Sequence, residues 1–143
     1  MKNIGLFLFS FLMFVSAPLV SRAAEDAGYY QHLKSTVLPF VQSNMKYSRV
    51  KSFDGIELSY AILQVPNSKG TIFLSPGRSE SVIGQTELIY QLAQAGFSVA
   101  AIDHRGQGFS QRLLKNSDAG HVVNFVDYVK DFKVFATQVV QQR

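Results

Sequence analysis

The sequence predicts an α/β fold, a mostly parallel sheet entered through an N-terminal antiparallel hairpin. Three observations predict it. Two alternating runs, Tyr47–Phe53 and Leu58–Val65, flank Asp54-Gly55, and Asp-Gly between such runs is a strong hairpin signal. Two short apolar runs, Thr71–Ser75 and Phe97–Ile102, have the unbroken character of strands buried on both faces. Between them lies a stretch with helical spacing, so the order is strand, helix, strand. Short links in that order require a crossover and hence parallel pairing.

The elements follow in order. Met1-Lys2-Asn3 is a short basic start, and Ile4–Val15 is almost wholly apolar, the stretch reaching Val20 when counted generously. Ser21-Arg22-Ala23 places small residues where a signal peptidase cuts. Residues 1–23 are therefore expected to be a secretory signal, with an uncleaved membrane anchor as the alternative. Residues 24–46 form a helical lead-in, one short helix whose loosely amphipathic stretch Tyr30–Val41 is expected to be ended by Pro39. Residues 47–143 form the α/β portion. After the hairpin, Pro66–Gly70 is a turn cluster. The loop Pro76–Ser81 leads into a helix from near Gln85, with Leu88, Ile89, Leu92 and Ala93 on one face. Gly96 stands where a left-handed C-terminal cap is wanted. His104–Gly120 is a polar, glycine-containing excursion. A last helix is expected, with Asn124 and Asp127 as a cap and Val122, Phe125, Val129, Phe132, Ala136 and Val139 as its core-facing stripe.

Composition narrows the chemistry. The chain has 143 residues, no cysteine, and a formal charge of +4. Thiol nucleophiles, cysteine metal sites and a lipidated-cysteine anchor are excluded. Without Lys2 and Arg22 the balance is 12 basic against 10 acidic side chains, or +2. No basic run is interleaved with aromatics, so nucleic acid is not an expected partner. A weak attraction to anionic lipid surfaces is compatible with this charge.

Two loops carry the candidate chemistry. Ser75-Pro76-Gly77-Arg78-Ser79-Glu80 follows an inner strand, at the carboxyl edge where open parallel sheets bind ligands. Gly77 permits the turn, and Arg78 can present a backbone N–H to an oxyanion. A plain strand-to-helix turn is the simpler reading of the same residues. Asp103-His104-Arg105-Gly106-Gln107-Gly108-Phe109-Ser110 suggests an acid and a base. Adjacent side chains at a strand end diverge, however, so a structural role is expected: Asp103 as acceptor for turn amides, Arg105 as partner of a carboxylate. Ser79, Asp103 and His121 form a rival triad in the order Ser, Asp, His. Ser81 stands where the strained serine turn needs a small residue for close helix packing, which weighs against the triad. His32 and His121 lack a second ligand at metal spacing. The phenylalanines 125, 132 and 135 are expected in the core.

Together with Arg112-Leu113-Leu114, Gly120-His121-Val122 and the run Phe125–Asp131, these loops resemble the lysophospholipase and monoacylglycerol lipase-like α/β-hydrolases. The likeness covers roughly Tyr47–Val140. It implies the N-terminal half of an α/β-hydrolase fold and a serine ester hydrolase acting on lysophospholipid or monoacylglycerol without a cofactor or metal. It also implies that Gly77 and Arg78 belong to the oxyanion loop. Gly-x-Ser-x-Gly, the turn that carries the nucleophile in that fold, is absent from residues 1–143. The nucleophile, acid and base therefore have no counterparts here, and the chain alone is expected to be inactive. The alternative is a non-catalytic truncated product or a secreted binding module. The expected location is outside the cytoplasm, periplasmic or secreted, with association at a membrane surface as a variant.

Overall fold

The computed structural model describes residues 26–140. The expected signal segment, residues 1–23, lies outside them. The chain divides into two compact units, Met1–Val37 and Leu38–Arg143. In the first, residues 26–32 are helical and Leu33–Val37 is a π-helical stretch. The Ser35 hydroxyl donates to the Gln31 carbonyl at 2.7 Å there.

The second unit begins with helix α1, Leu38–Asn44. Pro39 is its second residue and does not end it. A proline costs little in a first turn, where its missing N–H has no intrahelical acceptor anyway. Strands β1 (Met45–Lys51) and β2 (Glu57–Leu63) form the expected hairpin, in register from Met45 opposite Leu63 to Lys51 opposite Glu57. Its loop is closed by Ser52 N–H to the Ile56 carbonyl at 2.8 Å, with Gly55 at φ +84°.

Strand β3 (Thr71–Leu74) is followed by a 3-10 turn, Val82–Gln85, and helix α2, Thr86–Gln94. Gly96, at φ +88°, ends α2 as expected. Its N–H bonds to the Ala93 carbonyl and that of Phe97 to the Leu92 carbonyl, the paired bonds of a Schellman cap. Strand β4 (Ser98–Ile102) is buried along its whole length. Helix α3, Val126–Val134, runs into a π-helical stretch, Phe135–Val140.

The sheet order is β1-β2-β4-β3. β3 and β4 are parallel, as the intervening helix requires, while β2 runs antiparallel to β4. The described sheet is therefore mixed: the hairpin docks beside β4, at the centre. Among the described residues β3 pairs on one side only.

Side chains of β2 and β4 alternate between two cores. Ala61, Leu63, Val99 and Ala101 pack with Val41, Val82, Ile89 and Ala93, which puts α1 and α2 on one face. Leu58, Ile62, Ala100 and Ile102 pack with Phe135 and Val139 on the other. Each large aliphatic side chain so buried contributes about 1.5–3 kcal/mol. Of the expected face of α2, Ile89 and Ala93 are buried, whereas Leu88 is exposed; Val82, from the preceding turn, joins that layer.

The last helix departs furthest from its expected pattern. Its buried face carries Asp127, Asp131, Phe135 and Val139, while Phe125 and Val129 are exposed. No side-chain bond caps α3: the Asp127 N–H donates to the Asn124 carbonyl, and the Asp127 carboxylate faces Lys130. Burial of two carboxylates is explained by Arg105. Its guanidinium, 4% exposed, donates through Nε and Nη2 to Asp131, each at 2.6 Å. It also donates to Asp54 at 2.8 and 3.2 Å, and Asp127 lies 3.8 Å away. One buried cation thus joins the hairpin turn, the loop after β4 and α3.

The Arg105 hydrogen bonds hold the Asp54 carboxyl below its ordinary range. A depressed carboxyl contributes stability above its unfolded pKa, about 3.9, and loses it as pH falls through the folded value. The stability gap between the native protein and Asp54→Asn is expected to be constant near neutrality and to close below about pH 4. Denaturant midpoints from pH 7 to pH 3 measure it; a gap that stays constant to pH 3 contradicts this role.

Candidate active site

The parallel register of β3 and β4, with Leu74 opposite Ala101, ends both strands at one edge of the sheet. The loops after them meet there. The Ser75 hydroxyl and His104 Nε2 are 2.8 Å apart. No motif along the chain pairs these residues, although each stands just past the end of a parallel strand. Burial pushes the His104 imidazole below the usual histidine range, against the opposing pull of Asp131 and Asp103. His104 is therefore neutral at pH 7. Its Nδ1 is buried and has no hydrogen-bond partner among the described residues. Ser75 and His104 have the spacing of a nucleophile and its base, but among the described residues no third group hydrogen-bonds the imidazole to orient it. The bond reads as a tie between the two loops.

Asp103 is structural, as expected. It is 1% exposed, and its two carboxylate oxygens accept the N–H groups of Val82 (2.8 Å) and Phe109 (2.9 Å). Its carbonyl accepts the Ser110 hydroxyl. No hydrogen bond joins Asp103 to His121 or to Ser79 among the described residues, so the rival triad is not assembled. Ser79 sits at φ +67°, a conformation that non-glycine residues adopt sparingly. Its N–H is held by the Gln107 side-chain oxygen.

The loop amides of Gly77 to Glu80 differ in one respect. The Gly77 N–H donates to the Glu80 carboxylate at 2.8 Å, the Ser79 N–H to Gln107, and the Glu80 N–H to the Gly77 carbonyl at 3.2 Å. No described residue accepts from the Arg78 N–H. Arg78, Ser75 and His104 line a cleft of about 580 Å³, a size typical of small-molecule sites. Its apolar wall is Val122, Phe125, Val129 and Phe132. These are residues whose spacing suggested a core-facing stripe. Phe135 is in the core, whereas Phe125, 77% exposed, is not. Periodicity identifies residues that share a helix face; it does not say what that face meets.

Residues 66–143 match the family model Hydrolase_4, serine aminopeptidase S33. The chain belongs to this family. Lysophospholipase L2 of Escherichia coli strain K12 is 42% identical over 88 residues, covering 62% of this chain and 26% of that protein. The probable lysophospholipase L2 of Haemophilus influenzae is 35% identical over 106 residues, 72% of this chain and 33% of that one. The chain thus spans about a quarter to a third of these relatives' lengths. Among solved structures, an α/β hydrolase from Novosphingobium aromaticivorans superposes with a TM-score of 0.53 at 18% identity, covering 66% of this chain and 32% of that one. An epoxide hydrolase from Vigna radiata gives 0.53 at 20% identity, with coverages of 68% and 28%. Those two likenesses show the fold alone, a partial α/β-hydrolase fold; the Ser75–Glu80 loop lies inside the span matched by the family model.

Proposed function

We propose that this chain supplies the oxyanion loop and part of the acyl site of a serine ester hydrolase acting on single-chain lipids, lysophospholipid or monoacylglycerol. The observation that carries the reading is the Arg78 N–H, the amide left without an acceptor between Gly77 and Glu80, in a loop that lines an apolar cleft. An amide in that state is preorganised for the oxygen that becomes negative when an ester carbonyl turns tetrahedral. Gly77 lets the backbone turn so that the donor is presented, and its own N–H is engaged by Glu80. The wall of Phe125, Val129 and Phe132 suits an acyl chain. The lysophospholipase relatives favour the same substrate class. Neutral His104 and the saturated Asp103 hold the loop; neither is a catalytic group in this proposal. The nucleophile belongs to a Gly-x-Ser-x-Gly turn, which residues 1–143 do not contain.

The test is one experiment with two readouts. The 143-residue chain mixed with lysophosphatidylcholine is expected to bind the lipid and to release no fatty acid above the blank. Release that depends on Ser79 would overturn the assignment and favour the triad of Ser79, Asp103 and His121. Failure to bind any monoacyl lipid would reject the substrate class.

A further inference from the structure

We infer that the Arg78 guanidinium is a phosphate anchor, so that this cleft prefers a monoacyl lipid with a phosphate head group over a neutral monoacylglycerol. The inference rests on the acyl-lipid reading above and assigns a specificity-determining side chain within it. Arg78 has two separable parts: a backbone N–H, already given a role, and an exposed side chain without one. Among the described residues no carboxylate pairs with that guanidinium. The contrast with its neighbours is sharp. Arg105 is held by Asp131 and Asp54, and Arg112 donates to the carbonyls of Gly106 and Gly108.

The lining of the cleft points to the sign of the ligand. It contains no aspartate or glutamate, and Arg78 is its one residue with a permanent charge. His104, also in the lining, is neutral at pH 7. The nearest acid along the loop, Glu80, is engaged by the Gly77 N–H and by the Gln85 side chain at 3.2 Å, and it lines a different cleft. One cation and an apolar wall in a single cleft match an amphiphile with one anionic group and one acyl chain. Arginine suits phosphate because its planar donors meet two oxygens at once. A neutral glycerol head offers this cation no charge-assisted bond in exchange for its water.

The test compares equilibrium binding of three probes to the full 143-residue chain, each lipid below its critical micelle concentration. The probes are 1-lauroyl-glycerol 3-phosphate, 1-lauroyl-glycerol and glycerol 3-phosphate. The phosphorylated lipid is expected to bind on the order of tenfold more tightly than the neutral one, as a charge-assisted hydrogen bond allows. Arg78→Met keeps the backbone N–H and is expected to bring the two lipids to equal affinity, while Arg78→Lys retains part of the preference. Lys133→Met, an equal loss of charge at an exposed site on α3, is expected to leave the preference unchanged. Equal binding of both lipids by the native chain, or a preference that survives Arg78→Met, overturns the anchor and leaves the acyl-lipid reading intact. A preference lost equally in Lys133→Met also overturns it, because net charge then explains the effect. Glycerol 3-phosphate binding as tightly as the phosphorylated lipid would assign the site to free phosphate esters and overturn the lipid assignment. If neither lipid binds, both readings fail together.

Discussion

Asp131→Ala is expected to lower the unfolding free energy by about 3–5 kcal/mol, the loss typical of breaking a buried ion pair from one side. The Asp131 side chain has no solvent exposure, and it accepts two 2.6 Å bonds from Arg105 and one from the Ser52 hydroxyl. Its removal leaves Arg105 buried with Asp54 as its remaining close partner. A desolvated guanidinium that loses two of its four hydrogen bonds costs more than the pair itself contributed. Such a loss would consume much of the 5–15 kcal/mol that ordinarily separates a domain from its unfolded state. Chemical denaturation measures it. A double-mutant cycle with Arg105→Met separates the two contributions: adding Arg105→Met to Asp131→Ala is expected to recover part of the loss, because the stranded cation is then gone. A loss below about 1 kcal/mol in the single variant would mean that water reaches Arg105 and that the network is not buried in solution.

Gly108→Ala is expected to cost about 3 kcal/mol or more, through two causes that add. Gly108 lies at φ +48°, where a side chain strains the backbone, and an added Cβ would overlap the Asp103 carboxyl. That carboxyl cannot yield cheaply, since it holds the amides of Val82 and Phe109 from two different segments. Asparagine tolerates positive φ better than alanine does. If backbone strain were the whole effect, Gly108→Asn would recover stability; the overlap with Asp103 predicts that it does not. Gly55 is the control. It has φ +84° but open space around its Cβ position, so Gly55→Ala is expected to cost only about 1 kcal/mol. Thermal or denaturant unfolding of the three variants ranks them. Equal losses at the two glycines would refute the close packing at Gly108.

Both expected effects involve the segment Asp103–Ser110, through Arg105 in the first and Gly108 in the second, and they show how far the residues alone reached. That Asp103 is structural was legible, because a carboxylate at a strand end followed by a glycine-containing turn has backbone amides within reach. That Arg105 would find a carboxylate was legible as a type of partner, but not as Asp131, Asp54 and Asp127 together. Along the chain Asp127 reads as a helix cap and Asp131 as a solvated or ion-paired carboxylate; the ion pair is what the structure shows for Asp131. The Asn124-x-x-Asp127 cap failed because Arg105 and Lys130 offer the Asp127 carboxylate stronger partners than a backbone amide.

The residues by themselves determined whatever depends on a few neighbours along the chain. These are the Asp54-Gly55 hairpin turn, the left-handed cap at Gly96, the parallel pairing of β3 with β4, and the two loops at the end of those strands. Backbone sterics and hydrogen bonding act over about five residues, so the local sequence specifies them. Tertiary structure decided which side of a helix is covered and by what. It paired Arg105 with Asp54, 51 positions away, brought Ser75 to His104 across two strand ends, and turned the stripe of Val122, Phe125, Val129 and Phe132 into the wall of a cleft. Periodicity orders side chains around an axis. Only the packing of distant segments determines whether that face meets a sheet, a buried cation or an open site.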